Sequence, residues 1–197
     1  MIFRMLALLL AAVLPVMADC TDHARDFANP IDPAKLATLG SRGANPRIHK
    51  AVAILEAARR DGCSVALVAS NGVFIAGYPN TLLAQMTRDA LTRNHGIADK
   101  LGALTDAGLK DMRQGYSPAV KRGPYAGDKL SVDHIIPHAL ALELDNVVAN
   151  LELMPLRMNQ SKGDKVGARQ YDYARKFYKA GLLSDLRLKK LQPRGAP

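Results

Sequence analysis

Tryptophan is missing from this 197-residue chain, aromatic residues make up only 5% of it, and cysteine occurs twice, at Cys20 and Cys63. Two cysteines exclude a zinc cluster of paired CxxC motifs and a disulfide-dense scaffold. Acidic residues are also scarce, with 18 Asp and Glu against 27 Lys and Arg for a formal net charge of +9. Such a field attracts polyanions, and nucleic acid is the commonest of them. No apolar run reaches the roughly 20 residues that a membrane-spanning helix needs. The chain has no internal repeat and no low-complexity tract. It also lacks a recognisable helix-turn-helix or other base-reading module. At 48% hydrophobic residues it can bury one real core, so one domain plus a targeting segment is the simplest division.

The targeting segment is read at the amino terminus. Arg4 precedes an apolar stretch from Met5 to Leu14, and Val16-Met17-Ala18 suits signal-peptidase cleavage after Ala18. Residues 1–18 are therefore expected to be a signal peptide, with a retained anchor as the alternative. The mature protein would be exported, periplasmic or secreted, with no stable membrane span. In an oxidising compartment Cys20 and Cys63 can pair in one way only, and a disulfide between them is expected.

Residues 19–128 read as a helical region. Ile48, Val52, Ile54, Leu55 and Ala58 form a helical stripe over Pro46–Arg60, ended by Asp61-Gly62. Ser64–Ala69 and Val73–Gly77 flank Asn71-Gly72, the dipeptide favoured in tight hairpin turns, so a small β-hairpin is expected near 64–77. Asn80 or Thr81 is expected to cap a helix running to about Arg93, and Thr105–Gln114 predicts another. Gly115–Gly127 reads as a loop. Residues 166–197 predict a basic amphipathic helix to about Lys179, a break at Gly181 and a short helix over Ser184–Leu191.

Residues 129–165 hold the chemistry. They contain Asp133-His134-Ile135-Ile136-Pro137, then Asn150-Leu151-Glu152-Leu153, then Asn159-Gln160-Ser161-Lys162-Gly163-Asp164. Hydrolysis of a phosphodiester needs a base for water and a cation to neutralise charge on the phosphate and the leaving oxygen. His134 titrates near neutrality and can serve as the base. Asp133 is a hard oxygen donor suited to Mg²⁺, and Asn159 can add a carbonyl oxygen. Adjacent strand residues point to opposite faces, so a bend ending at Pro137 is needed to bring Asp133 and His134 to one edge. Asn150 is placed to bond backbone across the loop from His138 to Ala149. Lys162 either caps a helix C-terminus or touches phosphate. His138 reads either as an extra ligand or phosphate contact, or as a loop histidine bonded to backbone.

This segment resembles the HNH, or ββα-metal, nuclease motif, in the variant whose last histidine is asparagine. The resemblance implies a strand–loop–strand–helix unit with His134 as general base, Asp133 and Asn159 as ligands of one divalent ion, and Asn150 and Lys162 as further catalytic-site residues. Mg²⁺ is the expected metal, with Mn²⁺, Zn²⁺ or Ni²⁺ as alternatives. The zinc-binding cysteine pairs common around the motif are missing, so flanking helices must support it. The fold class expected is α+β, a mainly helical domain carrying the motif together with the small hairpin.

From Lys110 onward the chain carries 16 Lys and Arg against nine Asp and Glu, so the basic excess sits with the motif. Lys121 and Arg122 before it, and Arg157 and Lys165 on or after its helix, are candidate phosphate contacts; Arg169 reads as ordinary surface charge. Phosphate contacts carry no sequence information, so an endonuclease of little sequence specificity is expected, with DNA favoured over RNA. The alternative is a periplasmic nucleic-acid-binding protein without catalysis.

Overall fold

The structure is a computed structural model that describes residues 20–78 and 81–193. The expected signal peptide and the expected cap at Asn80 lie outside the described residues.

Helix α1 covers residues 20–31 and buries Ala24, Phe27 and Ile31 along one side. Asp32 caps α2 (Pro33–Ala37), accepting from the backbone of Ala34 and Lys35, with Pro33 opening the helix. Helix α3 (Asn45–Arg60) is the central element. Its predicted stripe is buried except for the half-buried Ile54, and Ala51, Ala53 and Glu56 are buried with it. The disulfide Cys20–Cys63 forms, joining the start of α1 to the turn after α3.

The hairpin expected near 64–77 is not there. Residues Val65–Ile75 form helix α4, whose N-cap Ser64 accepts from the backbone N–H of Leu67. Gly72 has a packing role instead of a turn role, since a Cβ there would lie 2.3 Å from Phe27 Cδ1 and 3.0 Å from the carbonyl oxygen of Ala24. The glycine lets α4 approach α1 closely, and burial of Val68, Ala69 and Val73 outweighs the local turn preference of Asn-Gly.

Helix α5 runs Thr81–Lys100, about two turns beyond the expected end, because Asn94, His95 and Ala98 are buried there. Helix α6 (Asp106–Gln114) is capped by Thr105 at its start and by left-handed Gly115 at its end. Strand β1 (Leu130–His134) then pairs antiparallel with β2 (Leu151–Pro155), Asp133 opposite Glu152 and His134 opposite Leu151. Three short 3-10 turns fill the chain between them. Helix α7 (Leu156–Lys162) follows directly, and α8 (Ala168–Lys179) and α9 (Asp185–Leu191) close the described chain. Among the described residues the sheet has two strands, so the fold is mainly helical α+β.

Two apolar clusters support the strand pair. One joins α1, α3, α4, α5 and α6 to Leu130, Leu151 and Leu153; the other joins Met86 of α5 to Ile136, Leu144, Ala149 and the α8–α9 residues Phe177, Leu183 and Leu191. Asn94 of α5 also acts as an extra strand partner. Its amide donates to the carbonyl of Leu151 at 3.0 Å and its oxygen accepts from the N–H of Leu153 at 2.8 Å. That contact satisfies the outer edge of β2, which would otherwise carry unpaired backbone groups.

Candidate functional site: a cleft beside the strand pair

Strand β1 ends at His134 and the chain bends at Ile135-Ile136 before Pro137. Asn150 holds the bend. Its oxygen accepts from the N–H of Ile136 at 2.8 Å, its amide donates to the carbonyls of Ile136 and Leu144, and its own carbonyl accepts from the N–H of Ile135 at 2.7 Å. The side chain is wholly buried. Asn150 thus bonds backbone across the loop, as its place before β2 suggested, and with its polar atoms spent there it touches no solvent-accessible surface.

The bend brings Asp133 and His134 to one open cleft of about 340 Å³, which Asn159, Gln160, Gly163 and Asp164 line from the side of α7. The helix ends at Gly163, whose backbone (φ 54°, ψ −146°) is open only to glycine. Arg42, Asn45 and His138 line the remaining wall.

His134 is 5% exposed, and its tautomer follows from its partners. Nε2 lies 2.9 Å from the carbonyl oxygen of Asp145 and 3.0 Å from Asp145 Oδ1. Neither of those oxygens can donate while the carboxylate is ionised, so Nε2 carries the hydrogen and Nδ1 of the neutral ring keeps a lone pair. Burial pushes the His134 pKa below its ordinary value, against the opposing pull of Asp145 and Asp133. The ring is thus held neutral at pH 7, the state a base needs.

Asp145 is the site residue that the sequence did not reveal. Burial raises its pKa, but the Arg42 N–H together with His138 and His134 more than offset this and hold the carboxyl below its usual range. Oδ2 accepts from the backbone N–H of Arg42 at 2.8 Å and lies 3.5 Å from His138 Nε2. His138 also meets Ser41 Oγ at 3.2 Å and stands edge-on to His134 with ring centroids 5.6 Å apart. Its contacts are side chains, where the sequence left a choice between a ligand and a backbone-bonded loop residue. No sequence spacing marks Asp145, because its role depends on the 3-10 turns folding back under His134.

Among the described residues no group of three or more His, Cys, Asp or Glu is placed to hold a metal. Of the carboxylates and amides that line the cleft, Asp133, Asp164, Asn45, Asn159 and Gln160, the pair that the motif assigns to the ion is Asp133 and Asn159. Asn159 Nδ2 donates to Ser131 Oγ at 3.3 Å, which leaves its carbonyl oxygen as the available end. Such a set fits Mg²⁺, which keeps several waters and takes one or two carboxylates plus substrate oxygens. Lys162 bears on the same carboxylate, with Nζ 2.5 Å from Asp133 Oδ2 and 2.6 Å from the carbonyl oxygen of His134. Glu152, opposite Asp133, is committed elsewhere. Arg169 holds both its oxygens and Arg93 Nε lies 2.9 Å from Oε1, so Arg169 is a structural ion-pair partner.

Comparison with family models, with curated proteins and with solved structures gives no match. The site is therefore read from its own geometry.

The four basic residues expected to contact phosphate do not line the cleft. Arg157 is paired with Asp128 at 2.7 Å and lies over the Tyr125 ring. Arg122 packs its stem against Gly102, while Lys121 and Lys165 are exposed. They stand on the surrounding surface.

Proposed function

We propose that the protein is an exported endonuclease that hydrolyses phosphodiester bonds of nucleic acid, DNA in preference to RNA, with a divalent metal and little sequence specificity. The observation that carries this reading is the cleft itself: a carboxylate, an amide oxygen and a neutral imidazole of fixed tautomer converge on one cavity from β1 and α7. The resemblance to the HNH motif supports it, as does the basic excess around the motif.

In this reading His134 Nδ1 takes the proton from the attacking water while Asp145 steadies the imidazolium that forms. Asp133 and Asn159 are the residues that would hold Mg²⁺, and the ion would supply charge neutralisation on the phosphate and the leaving 3′ oxygen. Lys162 Nζ stands against Asp133 Oδ2 and the carbonyl oxygen of His134, a cation beside the carboxylate that would take the ion. Asn150 keeps the bend that aims Asp133 and His134 into one cleft. A single such site cuts one strand, so the product is a nick. The leader-like residues 1–18 and the disulfide support export to the periplasm or beyond.

A second reading is favoured by one observation, the short Lys162–Asp133 ion pair. If that pair is permanent, the carboxylate is structural and the protein binds nucleic acid without cutting it. Supercoiled plasmid incubated with the mature protein and Mg²⁺ decides between them. Nicking that chelator stops and His134→Ala abolishes is the result expected; retention of the plasmid in a mobility shift without nicking supports the binding protein and overturns the enzyme.

A further inference from the structure

Arg42 is the only non-glycine residue among those described with a left-handed backbone, at φ 57°. Such a conformation persists where the surroundings over-determine it, and it gathers at functional sites. Here the surroundings are the loop beneath the candidate base. Asp145 accepts from the N–H of Arg42 at 2.8 Å, Asn146 Oδ1 accepts from the N–H of Ala44 at 2.9 Å, and Asn146 Nδ2 donates to the carbonyls of Leu39 and Gly40. The turn 39–44 is thereby clamped to the motif loop. The two oxygens of Asp145 divide the work, Oδ1 on His134 and Oδ2 on Arg42.

The side chain so placed lines the cleft with Asp133, His134 and Asn159, and it is the only Lys or Arg that does. It is exposed and, among the described residues, forms no ion pair. The other basic group at this site, Lys162, is engaged with Asp133. The first backbone donors of α3 are already bonded, the N–H of Ala44 to Asn146 and the N–H of Asn45 to the carbonyl of Arg42. Attraction for an anion on this wall therefore falls to the guanidinium.

We propose that Arg42 is a catalytic residue that grips the non-bridging oxygens of the phosphate being cut. The assignment rests on the nuclease reading above and adds a group to it from outside the motif. A guanidinium fork matches two phosphate oxygens at once, and a contact that tightens as charge builds on them lowers the barrier more than it strengthens ground-state binding.

The test compares wild type, Arg42→Gln, Arg42→Lys and Arg42→Gly in Mg²⁺-dependent plasmid nicking, with thermal unfolding alongside. Glycine adopts the left-handed backbone freely, so Arg42→Gly is expected to unfold no lower than wild type and to report the loss of the side chain alone. The expected result is a fall in kcat of about 10²- to 10³-fold for Gln and Gly, with partial recovery in Lys, whose ammonium cannot make the bidentate contact. Binding of a short duplex to the His134→Ala protein is expected to weaken less than about 10-fold when Arg42→Gln is added, since distant phosphates are held elsewhere. Wild-type cutting with undiminished kcat in Arg42→Gln, or a loss confined to KM, overturns the assignment and leaves the nuclease reading standing. A wild type that does not cut sinks both.

Discussion

One carboxylate, that of Asp145, fixes the tautomer of His134 and the backbone of Arg42 together. Asp145→Asn leaves one acceptor oxygen for two donors, so the side chain can serve the His134 ring or the Arg42 N–H but not both, and the ring keeps only the carbonyl of residue 145 when it serves Arg42. We expect nicking to slow by about 10- to 100-fold, the usual effect of losing a group that orients a site residue, while duplex binding in a mobility shift changes little. His49 supplies a separate prediction at the same scale. It is 2% exposed on α3, Nε2 meets Ser117 Oγ at 3.2 Å and Nδ1 has no partner; burial pushes its pKa down to about 4. With the folded value below the unfolded one, the unfolded chain binds more protons between them. The stability that neutral His49 contributes is therefore whole above about pH 6.5 and is lost as pH falls toward 4, by up to about 3 kcal/mol. Urea unfolding at pH 7 and pH 4.5 measures the loss, and His49→Leu should reduce the difference between the two. The candidate residues Asp133, His134 and Asn159 were legible in the sequence because residue type and short-range spacing alone single them out. Asp145, Arg42 and His49 were not, since each acquires its role from a neighbour far off in the chain.

Between elements, the contacts that matter are small. Gly72 allows α4 to lie against α1, and Gly72→Ala would force its Cβ into the Phe27 ring. Overpacking of that kind costs about 1–3 kcal/mol. Thermal unfolding should show the drop, whereas the same substitution in a hairpin turn would disturb no helix packing. Helices α3, α6, α8 and α9 were readable from periodicity and caps, with Thr105 and Ser184 serving as the N-caps. The segment over α4 misled because Asn-Gly is a strong turn signal when nothing competes, and here the competitor is a buried helix face. The contact of Asn94 with β2 had no sequence signal, since a buried asparagine on a helix bonds wherever an unpaired strand edge happens to lie.

Across the whole molecule, the motif has no core of its own. Leu130, Leu151 and Leu153 pack with the helices before it, and Ile136, Leu144 and Ala149 with those after it. Helix α5 belongs to both clusters through Leu91 and Met86, so the two halves of the scaffold grip the strand pair jointly. A peptide of residues 129–165 falls below the roughly 40 residues at which a chain without metal or disulfide can stand alone. Its circular dichroism is expected to be that of an unfolded chain, and it should not nick plasmid under conditions where the mature protein does.

The sequence by itself determined the basic character of the chain, most of its helices, and the candidate donors Asp133 and Asn159 with the candidate base His134. Residue type and short-range spacing govern all of these. The tertiary structure alone decided that the three share a cleft, that Asp145 sets the proton on His134, and that Arg42 enters from the turn before α3. The first two depend on the bend that buried Asn150 holds and on the 3-10 turns folding back under His134; the third depends on where the Asp145-Asn146 turn meets the 39–44 turn, a contact between segments about a hundred residues apart that no local pattern in either segment encodes.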